Sequence, residues 1–502
     1  MIASSQLKTN FLKMKNYLLI FCLVVVFCSC KQAKQLTTLD HIQLENTSLK
    51  VEVLAKNLDV PWDIAYADDQ SLWFAEQKGV VSKIDLQTGE QKKILTITDV
   101  WHKRTAGLLG LVVHPNFKKN PYVFLNYTVK KDSVISNHLV RYEFKNDTLI
   151  NKKLLLVIDG FTAHNGSRLA IDKSGKLLWA TGDAYIKENA QNLKSLNGKI
   201  LRLNIDGSIP KDNPYPNSYV FANGFRNMQG ITIGDNGLIY TSEHGDAIED
   251  EVNLIEKGRN YGWPNIEGKH DLPADKLFAQ QYQTVEPIQS WTPVIAPAGI
   301  AYYGYGKIAE WRNSLLLTTL KTKSLRVLKL TEDGRKVLSE EIFLKEHYGR
   351  LRDVAVGPKG EIYISTSNQD WNPSPGFPLA EDDKILKISI AEKTVENSLR
   401  GTKPTVEEVK DGKLLYEQYC ASCHKSDGKG VPNSFPALAG SKKVNGKSSD
   451  LISIVLNGAG EQMPSFKFLK DEEVAKIINY IHTNWGNKNK EISSADVKKN
   501  RK

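Results

Sequence analysis

Cys420-Ala421-Ser422-Cys423-His424 places two thiols three positions apart, with an imidazole directly after the second. This C-x-x-C-H spacing is the attachment motif of a c-type haem: two thiolates add across the haem vinyl groups and the next histidine ligates iron. A zinc half-site and a redox dithiol are the competing readings. Zinc would want further cysteines or a histidine pair, and none accompanies the motif. One covalent haem c is therefore expected on Cys420 and Cys423, with His424 on the iron. Of the five cysteines, Cys22, Cys28 and Cys30 crowd the N-terminus, so the set does not describe a disulfide framework.

A sixth ligand is expected about half a domain later, and Met463 is the only methionine of that region. Methionine paired with histidine raises the haem potential, as an electron carrier needs. His482 is the rival ligand. Val474, Ile477, Ile478, Ile481 and Trp485 recur around it at helical spacing, which predicts His482 on the outer face of that helix. The stretch from Asp411 to Asn487 resembles a small class I cytochrome c over its whole length. That family carries electrons and performs no substrate chemistry. The resemblance implies a first helix, bearing Gly412 and Tyr416, that crosses the last one at Tyr480.

The 502 residues are too many for one ordinary compact core, so two folded units, or one large repetitive fold with an appendage, are expected. With 41% hydrophobic and 25% charged residues the composition is globular. No internal run reaches the roughly 20 apolar residues that cross a bilayer. Lys8, Lys13 and Lys15 ahead of the apolar stretch Tyr17 to Phe27 have the layout of a secretory signal, with Met14 competing with Met1 as the start. Export suits haem attachment outside the cytoplasm and leaves little access to nucleic acid. Ser29 before Cys30 resembles a bacterial lipoprotein signal, which implies removal of residues 1–29 and a lipid anchor on Cys30 at the periplasmic side of a membrane. Phe27 fits that pattern imperfectly; ordinary cleavage nearby and an uncleaved anchor are the alternatives. Losing the leader's three lysines takes the formal net charge from +10 to +7. The basic tail 488–502 reads as a solvated, disordered end.

Between residues 47 and 391 one order of elements recurs: an apolar strand, a turn rich in Gly, Asp or Asn, a second strand, and a third after a gap. Copies open at Val60, Leu108, Arg168, Gly230, Gly299 and Arg352. Six antiparallel repeats without helices between them predict an all-β six-bladed β-propeller, followed by a small all-α cytochrome c domain. Leu49 to Leu54 is expected to close the ring as the outer strand of the last blade. A sandwich plus a barrel would not explain copies of similar internal order. The expected boundaries are a tether over 30–46, the propeller over 47–391, a linker over 392–409, the cytochrome over 410–487 and the tail beyond.

Several motifs in the repeats occur in one order along the chain: Gly107-Leu108-Leu109-Gly110 with His114-Pro115, His164 to Leu169, Leu201 to Pro214, Gly224 to Gly230, Ser242 to Leu254, Asn260 to Pro264, and Arg350 to Asp353. Together they resemble the soluble PQQ-dependent glucose and aldose sugar dehydrogenases, whose fold is a six-bladed propeller. The resemblance implies oxidation of an aldose at its anomeric hydroxyl, with hydride passing to the C5 carbonyl of PQQ. It makes His164 the general base, a task that suits an imidazole with a pKa near working pH. Arg226 and Asn227 match the pair that contacts the quinone oxygens. Lys321, Arg350 and Arg352 match the basic residues around the PQQ carboxylates, where guanidinium groups bind in bidentate geometry. Trp291 is expected to stack near the cofactor. Gly245 and Asp246 fall where carbonyls bridge calcium to PQQ, and Glu251 and Tyr261 align with a second, structural calcium site.

Three departures stand out against that family: Asp246 replaces a proline, Thr105 a glutamine and Ala163 an aspartate. The last two remove polar contacts near substrate, so the preferred sugar does not carry over. The whole reads as a quinohaemoprotein in which sugar reduces PQQ, electrons pass to the tethered haem, and a respiratory carrier takes them onward. The alternatives are a propeller without PQQ that binds a ligand beside an electron-carrier cytochrome, and a PQQ dehydrogenase of a non-sugar alcohol or aldehyde.

Overall fold

Strands of five or six residues with apolar side chains on both faces cannot bury themselves as single hairpins, and they gain burial by stacking sheet on sheet. The computed structural model describes residues 35–304, 306–404, 411–460 and 463–501, so the leader and Cys30 lie outside the described residues. Six antiparallel sheets form, five of four strands and one of five. Blade one is Pro61–Ala67, Ser71–Glu76, Val80–Asp85 and Gln91–Thr96. Blades two to five repeat that meander from the inner strands Leu108–Val113, Gly166–Ile171, Met228–Ile233 and Pro297–Tyr303. In blade six, Leu351–Val356, Ile362–Thr366 and Ile385–Ile390 are completed by Ser48–Ala55 and, outermost, Thr37–Gln43.

The ring therefore closes as expected through the strand containing Leu49 to Leu54, which pairs Leu49 with Ile390 and Val53 with Leu386. The expected tether is shorter than predicted, because Thr37–Gln43 is a strand paired with Ser48–Ala55. The expected linker is also partly bound: Leu399 bridges to Ile42 and Thr402 to Ile342. Their backbone groups find partners on blades five and six, which an unattached segment would have left to water.

The blades meet at a buried ion cluster around Arg168. Its guanidinium lies 2.9 Å from Asp63 Oδ1 and 2.9 Å from Asp353 Oδ2. It also donates to the carbonyls of Gln229 and Trp62 at 2.8 Å each. The two carboxylates accept the backbone N–H of Leu111 and of Ile64, both at 2.8 Å. One side chain of blade three thus binds blades one, four and six, and Asp63 carries the link on to blade two. Burial pushes the Asp63 carboxyl well above the usual range, Arg168 opposes that, and Asp353 adds to it. Glycine marks close inter-blade approaches: a Cβ on Gly299 of blade five would lie 1.9 Å from Asp353 Oδ1, and one on Gly110 2.1 Å from the Ser167 carbonyl.

The C-terminal unit is helical, with Gly412–Tyr419, Ala421–His424, Ser448–Asn457, Asp471–Thr483 and Ser494–Asn500. Its first helix crosses the helix Asp471–Thr483 as expected. The Tyr416 and Tyr480 rings lie 5.3 Å apart, and a Cβ on Gly412 would meet the Lys476 carbonyl at 2.4 Å. Two expectations fail here. His482 is fully buried, its Nδ1 2.9 Å from the Lys490 carbonyl, and the tail is not disordered but folds back as Ser494–Asn500. Val497 inserts into the core and Arg501 pairs with Asp471 at 2.7 Å, so a few apolar residues outweigh the tail's charge.

Arg168→Met should lower stability by about 3–5 kcal/mol, because it strands two buried carboxylates. Adding Asp63→Asn to that variant should restore part of the loss. Denaturation midpoints check both; no change on Arg168→Met would mean that the cluster does not hold the ring.

Candidate active site

In a blade, the start of the inner strand and the end of the second strand lie at the same end of the sheet. His164, Arg226 and Arg350 immediately precede inner strands, while Gly182, His244 and Lys321 follow second strands. The ring thus gathers them at one mouth. Asp183 N donates to the Arg226 carbonyl at 2.8 Å and Ala184 N to that of His164 at 3.0 Å, so the backbones of blades three and four are stitched together here. Gly182 permits this, since a Cβ would be 2.1 Å from the His164 carbonyl oxygen.

His164 is buried, and its Nδ1 lies 2.9 Å from Asp183 Oδ1. The carboxylate accepts from Nδ1–H, which leaves Nε2 as the proton acceptor. Asp183 is itself fixed, taking Trp263 Nε1–H at 2.9 Å and Tyr185 N–H at 2.9 Å. Tyr185 stacks on the imidazole at 4.0 Å. Burial, and then the Arg226 charge, hold the His164 pKa below its ordinary value, with Asp183 opposing them. Burial by itself would raise the Asp183 carboxyl, but the hydrogen bond and charge of His164 hold it low. Asp183, Tyr185 and Trp263 were not singled out from the sequence. An acid ending a strand and a tryptophan in a turn carry no local signal of the partner that the fold supplies.

Arg226 lies over the Trp263 ring at 5.4 Å and pairs with Asp246 at 2.7 Å. Its Nε and the Nε2 of His244 are buried with no hydrogen-bond partner among the described residues. Asn227 Oδ1 accepts from Gly166 N and Gln229 Nε2, which leaves its amide N–H groups as donors. Arg350 and Arg352 share Asp370 Oδ2, at 3.0 and 2.6 Å. Burial depresses the His244 pKa to about 3, with Arg226 and Arg352 next in effect, so His244 is neutral. A buried cluster of cations and unused donors fits a flat polyanion such as PQQ.

Not every expected residue joins this cluster. Trp291 sits on the outer strand of blade four, with its Nε1 3.1 Å from Glu340 and Arg326 over its ring at 5.7 Å, so it packs between blades four and five. Trp263 is the tryptophan at the site instead. Gly245 N donates to Asp250 Oδ1 at 2.8 Å, and the Asp246 carboxylate is engaged by Arg226. Glu251 and Tyr261 line one pocket with Glu243 and Glu267. Burial pushes Glu251 and Glu267 up to about 7, an environment that a cation would relieve. Among the described residues no group of three or more His, Cys, Asp or Glu side chains has metal-binding geometry.

Residues 58–372 match the glucose/sorbosone dehydrogenase family. The chain belongs to that family. Residues 407–481 match the family described as cytochrome c oxidase, cbb3-type, subunit III, and the C-terminal unit is a cytochrome c domain. The chain is 29% identical to an aldose sugar dehydrogenase of Escherichia coli over 64% of its own length and 90% of the relative's. It is similar to the PQQ-bound aldose sugar dehydrogenase of Streptomyces coelicolor, at 29% identity and a TM-score of 0.59, covering 68% of this chain and 98% of that one. The C-terminal part is 40% identical to a cytochrome c-552 of Thermus thermophilus, over 16% of this chain and 72% of that protein. The protein is thus a quinoprotein dehydrogenase-like propeller fused to a cytochrome c.

The attachment motif of the cytochrome c domain fits haem. His424 is buried and its Nδ1 lies 2.9 Å from the Pro436 carbonyl, which orients Nε2 for a metal. Among the described residues Cys420 and Cys423 are free thiols, and Met463 packs against the same apolar core as Cys420. This motif faces the mouth of the dehydrogenase propeller. Lys321 Nζ donates to the Gln418 carbonyl at 2.6 Å. Ala247 and Ile248, from the loop after Gly245, pack with the cytochrome core.

His164 should titrate below the ordinary imidazole value of about 6.5. Asp183→Asn should lower it further by removing a stabilising charge, and Arg226→Met should raise it. NMR titration of the imidazole checks this; a normal value with no response to either change contradicts it.

Proposed function

We propose that the protein oxidises an aldose at C1 to the lactone with PQQ and passes the electrons to its own single covalent haem c. The observation that carries this reading is the placement of the haem-attachment motif against the cation-lined mouth, through Lys321 and Gln418. PQQ, when bound, supplies a hydride-accepting carbonyl that the side chains of the chain do not provide. Arg226 and Asn227 would hold its quinone oxygens, and Lys321, Arg350 and Arg352 its carboxylates. Calcium would be held at the carbonyls of Gly245 and Asp246, and a second ion beside Glu251 and Tyr261.

His164 Nε2 takes the proton of the anomeric hydroxyl, and Asp183 stabilises the resulting imidazolium while fixing the ring. A depressed pKa keeps the base neutral and ready at neutral pH. Arg226, held over Trp263, keeps positive charge beside the reacting centre. Two electrons leave each sugar and a single haem carries one, so an outside respiratory carrier must oxidise the haem twice per sugar. Cys420 and Cys423 would hold the haem covalently, and His424 and Met463 would ligate its iron. The reading includes export, with Cys30 as a lipid anchor at the periplasmic side; no helix among the described residues is long and apolar enough to cross a membrane.

The test is the haem spectrum of the protein reconstituted with PQQ and calcium and mixed anaerobically with a panel of aldoses and simple alcohols. Haem reduction should require PQQ and an aldose together, and His164→Ala should slow it by about 10²–10⁴-fold. Reduction by alcohols but no aldose would replace the sugar assignment. Reduction by dithionite alone, with no binding of PQQ, would overturn the enzyme reading.

A further inference from the structure

The cytochrome touches the mouth from several sides, but one contact is made by residues with no part in the site chemistry. On the blade-six loop beyond Ile362–Thr366, the half-buried Trp371 ring lies 5.7 Å from that of Phe435 in the cytochrome. The Arg104 guanidinium, from the loop ahead of blade two, lies over both rings, at 4.9 Å from Trp371 and 5.6 Å from Phe435. Next to this stack, Asn372 Nδ2 donates to the Ser422 carbonyl at 3.0 Å, and Lys425 donates to Asn372 Oδ1 and, at 3.2 Å, to the Pro373 carbonyl. Ser422 lies between the two haem cysteines and Lys425 follows His424. The Arg104 loop is braced from the propeller side, with Gln77 Nε2 donating to the carbonyls of Arg104 and Ala106 at 2.7 and 3.0 Å.

We propose that Trp371, Asn372 and Arg104 are positioning residues that clamp the haem-attachment turn over the mouth, so that the electron path closes only while this clamp is engaged. The proposal rests on the dehydrogenase reading for its electrons but not for its docking. A planar aromatic pair under a guanidinium gives directional contact, and the Asn372 pair reads the backbone of the turn itself, which fixes its orientation as well as its distance. The chain between the last propeller bridge, at Thr402, and the first cytochrome helix is the nine residues 403–411. Extended, these span about 30 Å. The domain released from the clamp therefore stays near the propeller but loses its register.

The test uses the full haem-loaded chain with Trp371→Ala, Asn372→Ala and, from the other side, Phe435→Ala. Small-angle scattering should show a larger radius of gyration in each variant, a readout independent of sugar and PQQ. With PQQ, calcium and an accepted sugar, oxidation linked to a small dye acceptor should stay within about twofold of the parent. Haem reduction should slow by about tenfold or more. Equal losses in both assays would mean a structural role at the propeller and would overturn the proposal, as would an unchanged radius in all three variants. If the parent oxidises no substrate, the dehydrogenase reading fails, and the scattering still decides whether the clamp holds the domain.

Discussion

A guanidinium buried between two carboxylates at the axis of a ring is an arrangement in which nothing can move alone. Arg168 cannot lose either aspartate without leaving a charge in a low-dielectric interior, and each aspartate also holds the backbone of another blade. The inner strands are therefore fixed in rotation about the axis as well as in spacing. His164 lies four residues ahead of Arg168 on the same chain direction, and Asp353 is next to Arg352. The central ion cluster and the mouth are two levels of the same strands, so the precision of the second follows from the rigidity of the first.

That geometry explains how the site uses charge. Arg226, Arg352 and Lys321 each bring a buried cation to the mouth, and the fold offsets these charges with Asp246, Asp370 and Asp250. Burial, with the Arg226 charge adding to it, holds the His164 pKa below its ordinary value and keeps His244 neutral. Lys321 belongs to both partners of the fusion, with its stem in the propeller and its ammonium on a cytochrome carbonyl. Its pKa is lowered chiefly by burial, so a charge at that point depends on what stands on either side of it.

Much of this was legible beforehand, for reasons that differ by residue. The Cys420 to His424 spacing is dictated by covalent chemistry, so it reads without a fold. Six repeats and the closing strand near Leu49 read from order alone, because every blade must solve the same burial problem. Asp183 did not, since its pairing with His164 is made by a turn that only the ring brings close. Trp291 and Trp263 both sit in turn-rich segments, and only the register of blade four sends one to an inter-blade seam and the other to the mouth. His482 fell to a limit of helical periodicity: the wheel of one helix cannot show that residues 488–501 return to cover its outer face. The same sparse apolar residues, Ile492 and Val497, order a tail whose charge had argued for disorder.

The central claim is that oxidation and electron transfer occur within one molecule, across the contact of propeller and cytochrome. The most direct measurement is the rate of haem reduction in a single anaerobic turnover, followed over a roughly tenfold range of protein concentration at saturating sugar and PQQ. A rate constant that does not change with dilution is the predicted result, because the tether and the clamp make the step intramolecular. A rate constant that rises in proportion to protein concentration would show that electrons pass between molecules, and would contradict the account.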